Sequence, residues 1–81
     1  MMSKENLEII ASVASQKGFS FNGENLCTFV EWSKRGYKVL KGEKAFVRAY
    51  LWSSGVNKRK VLNYLFKEDQ VVLNVKSLVM V

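Results

Sequence analysis

The chain has no histidine and no proline, and its 81 residues include one cysteine and seven acids. Without histidine, and with Cys27 alone, neither a zinc site of the common Cys/His kinds nor a Ser-His-Asp or Cys-His nucleophile can be assembled. The one adjacent acidic pair, Glu68-Asp69, reads as a turn. No catalytic residue, metal or cofactor is expected, and the chain does not read as an enzyme. A single cysteine excludes an internal disulfide and suits the reducing cytoplasm, the expected compartment. Cys27 is expected as a small buried residue ahead of a helix. Turns fall to Gly, Asn and Ser. No apolar run approaches the ~20 residues that cross a bilayer, and the first residues are too polar for a signal peptide. The first amphipathic segment carries Glu5 and Glu8 where a membrane-surface helix needs cations, so no membrane association is expected.

What is present is an ordinary apolar fraction, 48%, in a length that allows one domain, residues 1–81, with a small core. Charge is uneven. Residues 1–31 carry a net −2, residues 61–81 a net zero, and residues 32–60 hold nine cations against Glu43 alone, a net +8. The whole excess of +6 therefore lies in the middle third. Such a local field attracts phosphate or acidic partners.

Along the chain, Leu7, Ile10, Ala11 and Ala14, widened by Ile9 and Val13, predict a helix over 4–17 with Ser3 as N-cap and Gly18 beyond its end. Asn22-Gly23 marks a turn in a connector that Phe19 and Phe21 pin to the core. Thr28 and Glu31 have capping-box spacing, which predicts a second helix from Phe29 to Arg35. Phe29 and Trp32 fall on one of its faces, and Gly36 stops it. Gly42 is expected at positive φ, with Glu43 pairing locally. The period then changes to two. Ala45, Val47, Ala49 and Leu51 form a small aliphatic face, and Phe46, Arg48, Tyr50 and Trp52 form the other, with Phe46, like Trp32, expected in the core. A hairpin loop over 53–58 leads to a strand over 61–67, with Leu62, Tyr64 and Phe66 on one side. Val71–Val75 reads as a further strand, and Leu78–Val81 as a sheet edge or an intermolecular contact, which admits a homodimer through the C-terminal strand. The expected fold is α+β: two N-terminal helices packed on a small, mainly antiparallel sheet of three or four strands.

Thr28-Phe29-x-x-Trp32, followed by Gly36-x-x-Val39-x-Lys41-Gly42-Glu43-Lys44 and later by Phe66-x-x-x-Gln70, resembles the N-terminal single-stranded-DNA-binding domain of the ArdC antirestriction proteins. The likeness covers about residues 25–72. It implies a DNA-binding module of the kind carried by phages and mobile elements, working in a host cytoplasm. The metallopeptidase-like domain of that family, with its H-E-x-x-H motif, has no counterpart in a histidine-free chain.

These readings define a candidate nucleic-acid-binding set: Lys34, Arg35, Lys38, Lys41, Lys44, Arg48, Tyr50, Trp52, Lys58, Arg59 and Lys60. Aromatic rings give stacking surfaces for unpaired bases while cations follow the phosphates, a chemistry tolerant of sequence. The expected function is sequence-nonspecific binding of single-stranded DNA, with RNA left open. The alternative is a small phage- or plasmid-encoded inhibitor, of antirestriction or anti-CRISPR type, that binds a host defence nuclease directly. A basic protein of this kind would not work by DNA mimicry, because a mimic is acidic.

Overall fold

Both helices are delimited by their capping residues. The structure, a computed structural model, describes residues 3–53 and 58–74. In α1 (Lys4–Gln16), Ser3 Oγ accepts from Asn6 N at 3.2 Å. At its other end Gly18 takes φ 72°, so that Gly18 N reaches Ser15 O and Phe19 N reaches Ala14 O. That pair of bonds is a Schellman stop. In α2 (Phe29–Lys34), Thr28 Oγ1 accepts from Glu31 N at 3.2 Å, and Gly36 at φ 86° ends the helix. Gly42, also at φ 86°, and Gly23, at φ 95°, make the expected turns.

The strands are β1 (Leu26–Thr28), β2 (Tyr37–Val39), β3 (Val47–Trp52), β4 (Lys60–Lys67) and β5 (Val71–Leu73), with a 3-10 turn at Glu68–Gln70 before the last. They form an antiparallel sheet of order β1-β4-β3 and a separate antiparallel pair, β2-β5. The fold is thus α+β, but its strands divide between two sheets. β1 lies in the connector ahead of α2, where three residues are too few for a periodic signal. Residues 54–57 of the expected hairpin loop and the segment 75–81, with its expected C-terminal strand and homodimer contact, lie outside the described residues.

The layers follow from the alternation. On one face of the larger sheet Leu26, Val47, Ala49, Leu51 and Leu65 pack with Ile10 and Ala14 of α1. On the opposite face, at the β1–β4 side, Cys27 and Phe66 pack with Trp32 of α2, Tyr37 and Val39 of β2, and Val71 of β5. The order is α1, larger sheet, then α2 with the β2-β5 pair. The inner stripe of α1 is centred on Asn6, Ile10 and Ala14, whereas Ala11 is exposed and Leu7 half-buried. Phe29 and Trp32 also part company. Trp32 is buried and donates from Nε1 to Phe66 O at 2.8 Å, while Phe29 lies in solvent, because so short a helix has one side against the sheet.

Asn6 is buried for a polar reason. Its Oδ1 accepts from Trp52 N at 2.8 Å, and its Nδ2 donates to Trp52 O at 3.0 Å. The amide therefore takes the place of a neighbouring strand at the outer edge of β3. Replacing Asn6 by Ala is expected to cost about 1–3 kcal/mol, the usual penalty for stripping partners from buried polar groups. Asn6→Asp should cost at least as much, since a carboxylate cannot donate to Trp52 O. Urea unfolding of the two variants checks both expectations.

Candidate nucleic-acid interface

The face of β3 and β4 turned away from α1 is only partly covered. α2 and the β2-β5 pair lie over Phe66 and Cys27. Beyond Phe66 the register sets three cross-strand pairs side by side: Arg48 with Tyr64, Tyr50 with Leu62, and Trp52 with Lys60. Successive pairs on one face are about 6.8 Å apart, two residues of extended chain. Each pair brings one aromatic ring to the surface. Tyr50 is 61% exposed, Tyr64 52% and Trp52 41%. Lys60 Nζ lies over the Trp52 ring, 5.2 Å from its centroid, a cation–π contact that helps orient the indole. β3 and β4 carry no Asp or Glu, so neither strand adds negative charge to this face.

The alternation expected for β3 is present, with Val47, Ala49 and Leu51 buried and Arg48, Tyr50 and Trp52 exposed. Phe46 shares the parity of the exposed set but lies against the core, as expected. It precedes the strand, packs against the α1-side core with its ring 5.4 Å from that of Phe19, and has Lys67 Nζ 4.5 Å from its centroid. Tyr64 is the ring that the sequence reading left out of the site. Its place in the Leu62–Tyr64–Phe66 row was legible, but only the register sets it beside Arg48.

The remaining cations divide. Lys58, Arg59 and Lys60 are exposed where the chain enters β4, and Ser53 N donates to Arg59 O at 2.8 Å to close that end of the hairpin. Lys44 is exposed near the other end, beside Arg48 and Tyr64. Lys34, Arg35 and Lys38 belong to the second layer. Lys34 Nζ is 3.9 Å from Glu31. Lys38 lies on β2 facing away from the larger sheet, because its neighbours Tyr37 and Val39 face inward. Lys41 is at an exposed turn.

Arg35 is committed to the framework. Its Nη2 donates to Glu24 O at 2.8 Å and to Cys27 Sγ at 2.7 Å, and its guanidinium lies 4.3 Å from the centroid of the Trp32 ring. Residues of the K-G-E-K and F-x-x-x-Q segments also do internal work. Gln70, buried, accepts from Lys67 N and donates to Glu43 Oε1 at 3.0 Å and to Lys44 O at 2.6 Å. Glu43 thus pairs across the chain rather than locally. Gln70 anchors the turn that delivers Lys44 to the start of β3.

Cys27 is buried, and burial pushes its thiol up, against the opposing pull of Arg35. The protonated form fits the geometry, since Sγ donates to Glu24 O at 3.5 Å and accepts from Arg35. A thiol held above its unfolded pKa of about 8.5 contributes stability that is complete below that value and lost as pH climbs through the folded one. Urea midpoints measured from about pH 8 to 10 should therefore fall more steeply for the native protein than for Cys27→Ala.

Among the described residues, no helix is long and apolar enough to cross a membrane. No family model matches this chain, and no curated protein or solved structure does either.

Proposed function

We propose that the open face of β3 and β4 binds single-stranded nucleic acid without regard to sequence, by stacking bases on Tyr50, Trp52 and Tyr64 while Arg48, Lys60 and Lys44 meet the phosphates. The observation that carries this reading is the three-step row itself. One exposed ring occurs at each cross-strand pair, cations stand at both ends, and no acid is present on either strand. Every base has a π-face, so such a row favours bases that are free to unstack and discriminates little among them. Duplex DNA, already stacked, offers the rings nothing but its ends. The resemblance to the single-stranded-DNA-binding domain of the ArdC proteins points the same way.

Fluorescence anisotropy with labelled single-stranded and duplex DNA of equal length, at two salt concentrations, tests the proposal. Single-strand binding is expected to be micromolar or tighter, stronger than duplex binding, and weakened by salt because counterions are released. Tyr50→Ala, Trp52→Ala and Tyr64→Ala should each weaken binding by roughly 1–3 kcal/mol, about five- to a hundredfold. Arg48→Ala should lower the salt slope by about one contact, whereas Lys38→Ala, on the far side of the second layer, should change little. A row of Tyr, Trp and Arg is also the composition of a protein-interface hot spot. Absence of single-strand binding at low salt would sink the nucleic-acid reading and leave the face to a protein partner, such as a host defence nuclease.

A further inference from the structure

The aromatic row does not stop at Tyr64. Beside its third step, an open groove of about 650 Å³ runs between the C-terminal end of α1 and the start of β3. Tyr64, Arg48, Lys44 and Lys17 all line it, with Val13 and Phe46 among the apolar lining. Among the described residues, no Asp or Glu lines the groove. Among the described residues, neither Lys17, Lys44 nor Arg48 takes part in an ion pair. This is unlike Lys34 and Lys67, which lie near Glu31 and Asp69. The end of a helix ordinarily presents carbonyl oxygens that repel an anion. Here the carbonyls of Ala14 and Ser15 are already taken by Lys17 N, Gly18 N and Phe19 N, and the Lys17 side chain stands at that end. The groove is thus a concave, positively charged surface continuous with the row of rings.

We propose that this groove receives the backbone phosphates of the nucleotides that follow the base stacked on Tyr64, and that Lys17 contacts them. The inference rests on the reading of the open face as a single-strand site and extends it. Three rings account for three bases; the groove lengthens the footprint to about four or five nucleotides, at the low end of single-strand site sizes. Lys17 stands apart from the central cationic third of the chain, so local sequence alone gives no reason to include it.

The test compares the native protein with Lys17→Ala, and with Lys4→Ala as a control at the other end of α1, on oligothymidylates of three, five and eight nucleotides. Lys17 is exposed and lies just beyond the helix, so its replacement leaves the core intact. For five and eight nucleotides, Lys17→Ala should weaken binding about fivefold at low salt and reduce the salt slope by roughly 0.7. Trinucleotide affinity, followed by NMR shifts of the ring protons, should not change. Equal affinity and equal salt slope in Lys17→Ala and native protein would overturn the groove while leaving the aromatic face standing. An equal loss on three and five nucleotides would also overturn it, because that is the signature of a diffuse field rather than a local contact. If the native protein binds none of the oligonucleotides, both readings fall together.

Discussion

Pairing β3 with β4 so that Val47 stands opposite Leu65 and Trp52 opposite Lys60 sets the character of both sides of the larger sheet. Side chains alternate across a strand, so this register sends Val47, Ala49, Leu51 and Leu65 to α1 and leaves Arg48, Tyr50, Trp52 and Tyr64 outside. A slip of one residue would bury the arginine and expose the alanine. The register is held at both ends. Ser53 N closes on Arg59 O, and Phe46 N closes on Leu65 O. Asn6 adds a third hold by occupying the free edge of β3 at Trp52.

A short chain cannot cover both faces of such a sheet, since so small a domain leaves much of its surface in water. α1 covers one face. The second layer, α2 with the β2-β5 pair, covers only the part of the other face around Cys27 and Phe66, where Trp32 is buried. The layer is held by polar contacts as much as by apolar ones, through Trp32 Nε1 on Phe66 O, Gln70 on Glu43 and Lys44, and Arg35 on Glu24, Cys27 and Trp32. The uncovered remainder of the sheet bears the aromatic row. Exposed Tyr and Trp lose little side-chain freedom when they meet a planar ligand, and their polar atoms keep such a surface compatible with water.

Positive charge by itself does not define an interface. The central third of the chain holds nine cations against Glu43 alone, yet these cations serve different ends. Arg35 satisfies backbone and thiol groups around an indole, and Lys34 lies near Glu31. Lys38 faces away from the rings. Lys44, Arg48 and Lys60 border the aromatic surface, and Lys17, from an acidic region of the sequence, faces the same groove as Lys44 and Arg48.

Features that depend on neighbours a few residues apart follow from local sequence. The caps at Ser3 and Thr28, the glycine stops at Gly18 and Gly36, the turn at Gly42, and the alternation of β3 were all legible, because each is set by local backbone geometry or by a period of two. Long-range packing set the rest. It placed Asn6 against Trp52, 46 residues away, and Gln70 against Glu43, 27 residues away. It split the strands into two sheets and left Phe29 in water. It also set Tyr64 beside Arg48 and brought Lys17 to the groove beside them. Such partners are chosen by which faces meet when the layers pack, and periodicity gives an element its faces without naming what each will touch.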